Sequence, residues 1–207
     1  FLVMGMLGSV LLGCGKKAIR PEAELVWPSP PEKARIQFIK TISSSEDVEE
    51  KSFFERMKDY LFDESSVARL VKPYAVFAAP NGRLYVADSG WRKVLVFDEA
   101  GKQFSMIGVD GPGALAGPLG VAVDTEGRVY VTDTVLRKVL VYDASGKHLF
   151  DMGDMNLLER PVGIALNNNL KRVYVVDTRK HKAFVFDFEG NFLFEFGKRG
   201  SGDGEFN

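Results

Sequence analysis

Two histidines, His148 and His181, and a single cysteine, Cys14, are the only imidazole and thiol groups in the chain. None of them stands at a metal-ligand spacing. A transition-metal site needs several His, Cys or carboxylate groups converging on one point. No His-Glu-x-x-His pattern, nucleophile elbow or Walker loop occurs. Gly111-Pro112-Gly113 lacks the strand-to-helix context of a phosphate loop. The chemistry that does recur is basic. Asp88-Ser89-Gly90-Trp91-Arg92-Lys93, Asp133-Thr134-Val135-Leu136-Arg137-Lys138 and Asp177-Thr178-Arg179-Lys180-His181-Lys182 are equivalent segments, each running from an aspartate to basic residues. Such an array suits the recognition of anions: polysaccharide, phosphate groups or an acidic protein surface. Trp91, Arg92, Arg137, Arg179 and His181 are the candidate contacts. Asp88, Asp133 and Asp177 read as structural, capping backbone amides and pairing with Lys93, Lys138 and Lys182 five residues on. A solvated ring of charge is the plainer alternative.

The elements that carry these segments are repeats. Residues 73–108, 118–153 and 161–197 align without strain, with Asp88, Asp133 and Asp177 in phase, then Asp98, Asp143 and Asp187, then Gly101, Gly146 and Gly190. The period is about 44 residues. Each copy reads as four short strands, a to d: Val121–Val123, Arg128–Val131, Val139–Tyr142 and His148–Phe150 in the second. The runs of a, b and c are apolar and β-branched, as in strands buried on both faces. Asn81-Gly82 and Glu126-Gly127 mark tight a–b hairpins, and residues 167–171 replace them with a longer turn. Asp98, Asp143 and Asp187, each three residues before a glycine, mark type I c–d turns. A four-stranded unit at this period predicts an all-β propeller of antiparallel blades. About three blades are present, which cannot close a ring. Antiparallel order puts b–c loops and d–a linkers (109–117, 154–160, 198–206) on one face, and this is the candidate binding face.

Pro118-Leu119-Gly120-Val121-Ala122-Val123-Asp124, Gly127-Arg128-Val129-Tyr130-Val131-Thr132-Asp133, Lys138 and Asp143-Ala144-Ser145-Gly146 resemble NHL repeats over residues 73–207. The first unit departs, with Ala75 for glycine and Ala79 for aspartate. The resemblance implies a six-bladed ring and a longer protein, and it is unspecific for activity. Some members bind RNA. A net charge of −1 argues against nucleic acid here.

Ahead of the repeats, Phe1–Gly13 is apolar and uncharged, too short to span a bilayer and suited to a secretion signal. Leu11-Leu12-Gly13-Cys14 resembles a bacterial lipobox, which implies lipidation of Cys14; a buried structural cysteine is the alternative. Residues 15–34, with Trp27-Pro28-Ser29-Pro30-Pro31, read as a Pro-rich polyproline II tether. Within 35–72, Arg35–Ile42 alternates as a strand, expected to complete the outer edge of the last blade. Ser52 to Phe62 reads as a short amphipathic helix with a capping box.

Together these readings predict a lipid-anchored scaffold in the bacterial cell envelope, at the outer membrane or periplasmic face. It would bind a protein or polysaccharide partner, with no cofactor and no catalytic residue assigned. The alternative is a propeller-type lyase or lactonase whose metal or catalytic residues lie partly in further blades.

Overall fold

The computed structural model describes residues 25–49 and 67–206. The signal segment with Cys14 and the expected helix over 52–62 lie outside the described residues. The chain divides into two units, residues 1–41 and 42–207.

In the first unit, β1 (Val26–Trp27) pairs antiparallel with β2 (Ile36–Gln37), Val26 opposite Gln37 and Trp27 opposite Ile36. Amides of Arg35 and Phe38 close the ladder on Trp27 O and Leu25 O, both at 2.8 Å. This corrects two expectations. The proline segment forms the loop of a hairpin, so residues 25–34 are not an extended spacer. The strand expected over 35–42 shrinks to the two residues of β2, which pair with β1. Ile36 and Phe38 both stay exposed in this hairpin, so the alternation does not mark a buried face here.

The second unit carries three four-stranded antiparallel sheets among the described residues. The first is β3 (Pro73–Ala78), β4 (Arg83–Asp88), β5 (Lys93–Asp98) and β6 (Gln103–Ile107). The second is β7 (Pro118–Val123), β8 (Val129–Asp133), β9 (Lys138–Tyr142) and β10 (His148–Met152). The third is β11 (Pro161–Asn167), β12 (Arg172–Asp177), β13 (Lys182–Asp187) and β14 (Phe192–Phe196). Each strand pairs with its neighbour in sequence, so every blade is an up-and-down meander. The first strands β3, β7 and β11 neighbour one another across blades, and they mark the inner side.

Alternating side chains weld adjacent blades. Val129 and Val131 of β8 face the first blade, in one cluster with Ala87, Val94 and Val96. Tyr130 between them faces the third, in a cluster with Val173, Phe184 and Phe186. A strand with apolar residues at consecutive positions is what a sheet covered on both faces requires. Near the inner side the blades touch through backbone. The Thr132 hydroxyl donates to Val162 O at 2.8 Å and accepts from the Gly120 amide at 2.8 Å. A Cβ on Gly120 would stand 2.4 Å from Val162 O, which explains glycine there.

The outer face of the first blade is buried at Val86, Leu95 and Phe97 by Ile42, Val48 and Leu70 but is open along β3, and that of the third is open along β14. Val121 of the second blade is 6% exposed, while its counterpart Val76 in the first is 66% exposed. Met152 is fully buried against the third blade, while its counterpart Phe196 is 47% exposed. These are apolar blade faces without a covering blade among the described residues.

Candidate ligand-binding face

Three buried aspartates build this face from below. Asp88 accepts the amides of Val71 (2.7 Å), Lys72 (2.9 Å), Gly90 (2.9 Å) and Trp91 (3.1 Å). Asp133 accepts those of Ala116 (2.7 Å), Gly117 (2.8 Å), Val135 (3.0 Å) and Leu136 (2.9 Å). Asp177 accepts those of Glu159 (2.7 Å), Arg160 (2.8 Å), Arg179 (3.0 Å) and Lys180 (3.0 Å). In every copy one carboxylate therefore binds two amides of the incoming linker and two of the b–c loop. Each is completely buried, and burial of a carboxylate is tolerable only with its acceptor capacity filled in this way.

The lysines do not pair with these aspartates, although each stands directly opposite one in the ladder. Lys138 Nζ reaches Asp151 on β10 at 2.5 Å, and Lys182 reaches Glu195 on β14. Lys93 Nζ lies 5.6 Å from the Trp91 ring centroid. The aspartates are already saturated by amides, so the ammonium groups of Lys138 and Lys182 turn to the next strand and that of Lys93 to Trp91.

The positions just before these lysines share a backbone feature. Arg92, Arg137 and His181 close the b–c loops with φ of 55°, 55° and 52°. This is the left-handed region, where a side chain is unfavourable and glycine or asparagine is at ease. Arg92 and Arg137 are exposed. Neither has an acidic or hydrogen-bonding side-chain partner among the described residues. His181 is engaged: its Nδ1 lies 3.1 Å from Phe206 O, in the segment after β14. Trp91 is engaged as well. Its Nε1 donates to Arg69 O at 2.6 Å and its ring packs beside Val86, Leu95 and Phe97. Arg179 pairs at 3.2 Å with Glu159 in the neighbouring linker.

The structure brings two of the candidates together with a third arginine that sequence reasoning placed on this face without singling it out. Arg137, Arg160 and Arg179, with Thr134, Val135 and Glu159, line an open cleft of about 290 Å³ between the second and third blades. The available signal for Arg160 was its place before Pro161, which restricts it to extended backbone at a linker's end. The counterpart of Arg160 between the first two blades is Gly117, so that junction offers no such cluster.

Two other polar sites stand apart from this face's cleft. Asp124, buried, receives Arg128 Nε at 2.7 Å and the Tyr130 hydroxyl at 3.1 Å. Burial first, then the Asp124 charge, pushes the Tyr130 phenol well above its ordinary range. On β10, His148 Nε2 lies 2.8 Å from Asp151 Oδ1, beside the Lys138 pair. No group of three or more His, Cys, Asp or Glu residues is arranged to hold a metal among the described residues.

Sequence and structure comparisons extend this picture. A family profile, DUF5128, described as 6-bladed beta-propeller, matches residues 33–158 and 152–207. No curated protein sequence matches significantly. Among solved structures the chain is similar to a streptogramin B lyase (TM-score 0.52, 15% identity, covering 60% of this chain and 40% of that one). It is also similar to the Kuenenia stuttgartiensis hydrazine synthase (0.54, 16%, 66% and 38%). U3-55K is a third (0.52, 13%, 62% and 40%). At such identities the shared property is the fold. The chain spans 38–40% of the length of these three structures. The profile match spans the three four-stranded blades and most of the chain, and the chain belongs to the DUF5128 family of 6-bladed beta-propellers.

Proposed function

We propose that the chain is part of a lipid-anchored, extracytoplasmic scaffold whose propeller holds a protein or glycan partner on the face of b–c loops and d–a linkers. The observation that carries this reading is the repeated clamp under that face. Asp88, Asp133 and Asp177 fix both loop types, so the basic residues stand on a held backbone and little main-chain entropy is lost on binding. Arg92 and Arg137 add exposed cations at the ends of two of these loops. The assignment of the blades to NHL-type repeats is supported by the Pro118-to-Gly146 pattern and by the close approach that accounts for Gly120. Further blades of a six-bladed ring are the natural cover for the exposed faces at Val76 and Phe196. The anchor rests on Leu11-Leu12-Gly13-Cys14, and it places the protein in the bacterial cell envelope.

Two measurements test this reading. Mass spectrometry of membrane fractions should find a diacylglycerol adduct on Cys14; a soluble, unprocessed protein would defeat the anchor. Retention on immobilised polygalacturonate, an acidic polysaccharide probe, should fall when Arg92→Glu and Arg137→Glu are combined. Unchanged retention would discard the face.

A further inference from the structure

We infer that the cleft between the second and third blades is an oxyanion site, in which Arg137, Arg160 and Arg179 receive a carboxylate or phosphate carried on a group no larger than about one sugar ring. This rests on the binding face proposed above and assigns it a subsite and a ligand chemistry.

The fold aims three guanidinium-bearing positions at one place by independent means. One carboxylate, Asp177, accepts the backbone amides of both Arg160 and Arg179, so the linker and the loop that carry them are locked together. Arg137 comes from the neighbouring blade, at the left-handed position of its hairpin. All three side chains are exposed to the cleft's solvent side.

Charge is left over in this cleft. Glu159 engages Arg179 at 3.2 Å, while Arg137 and Arg160 have no acidic partner among the described residues. Like charges gathered without a counter-ion repel, and an oxyanion relieves that repulsion. Guanidinium groups are the side chains best matched to it, because their paired N–H donors fit the two oxygens of a carboxylate or the edge of a phosphate. The lining contains no aromatic residue and one aliphatic one, Val135, so an apolar ligand has little to bind. A volume of about 290 Å³ is at the small end of ligand sites.

The test uses the full chain and two probes, inorganic phosphate and galacturonate, titrated by calorimetry and by NMR of arginine Nε–Hε signals. At least one probe should bind saturably, and the tighter of the two identifies the natural source as phosphate-like or carboxylate-like. Arg137→Gly and Arg160→Gln should each weaken binding at least tenfold. Arg137→Gly is a safe variant, because glycine is favoured at its φ and the fold is kept. Lys171→Gly, the same kind of change at a left-handed position in an a–b turn that does not line the cleft, should leave the affinity unaltered. Absence of saturable binding of both probes, or binding indifferent to Arg137→Gly and Arg160→Gln, overturns the proposal. If the probes fail while polygalacturonate retention still depends on Arg92 and Arg137, the face stands and the cleft does not. If the probes bind and retention is unaffected, the cleft stands alone.

Discussion

The amide nitrogen of Arg160 lies 2.8 Å from Oδ2 of Asp177, and the carboxylate's other oxygen takes the amide of Arg179 at 3.0 Å. A residue with no exposed surface thus sets the position of two that face solvent. The same bond pattern is written at Asp88 and Asp133, so the blade's structural carboxylate and the face's candidate contacts are parts of one device.

That device predicts a large penalty for a small change. Asp133→Asn keeps the volume but turns an NH2 group toward amides that need an acceptor. With buried donors left unsatisfied, stability should fall by about 2–4 kcal/mol, read by chemical denaturation. A loss no greater than that of an exposed Asp→Asn change would show that the clamp is dispensable.

The left-handed residues predict the opposite. Arg92→Gly and Arg137→Gly remove a steric penalty of about 1–2 kcal/mol and restore some unfolded-chain entropy. Each should therefore stabilise the chain by about 0.5–1 kcal/mol. A raised melting temperature together with weakened oxyanion binding is the expected pair of outcomes for Arg137→Gly. A lowered melting temperature would mean that the guanidinium has a structural partner.

Gly120 and Gly163 occupy equivalent places in successive blades but meet different surroundings. A Cβ on Gly120 would sit 2.4 Å from Val162 O and 2.8 Å from Thr132 Oγ1; on Gly163 the nearest atom is 3.7 Å away. Gly120→Ala must push the inner strands apart, which overpacking data put at about 1–3 kcal/mol. In the 207-residue chain, where no blade among the described residues follows the third, Gly163→Ala should stay within about 0.5 kcal/mol of the parent. Equal effects would contradict the close inter-blade approach.

Much of this was legible in the chain itself. The phased Asp and Gly positions gave the blades, because a hairpin's φ requirements and a buried carboxylate's bonding needs are local and leave a fixed residue at a fixed place. Asp98, Asp143 and Asp187 do cap their turns as the Asp-x-x-Gly spacing implies, with Gly101 N at 2.8 Å from Asp98 Oδ1 and Ser145 N at 2.8 Å from Asp143 Oδ1. What escaped were choices between competing partners. Lys138 stands opposite Asp133 in register, yet the four amides bound to that carboxylate decide against the pair, and Asp151 is one strand away. No spacing rule within a loop reveals a rival on the following strand. The Val26–Gln37 hairpin was hidden for a related reason: proline-rich composition describes a chain's stiffness, not the return of its end. Arg160 escaped because its meaning lies in its neighbours across the blade junction.

The turn carboxylates predict how stability responds to acid. The Gly101 amide, then the Arg83 side chain, holds the Asp98 carboxyl below its ordinary 3.8. The Ser145 hydroxyl, then the Lys147 amide, does the same for Asp143. A carboxyl lowered in the folded chain contributes stability at pH values above its unfolded value, and that contribution disappears as pH falls through the lower folded value. The chain should therefore lose stability progressively below a pH of about 4. Replacing both residues, Asp98→Asn with Asp143→Asn, should flatten the curve of unfolding free energy against pH in that window, at some cost in neutral stability. Because both carboxyls lie in exposed turns, the flattening should survive in moderate salt where it comes from amide and hydroxyl donors, and shrink where it comes from Arg83. A pH profile unchanged in slope by the double variant would show that these turns release their protons as free carboxyls do.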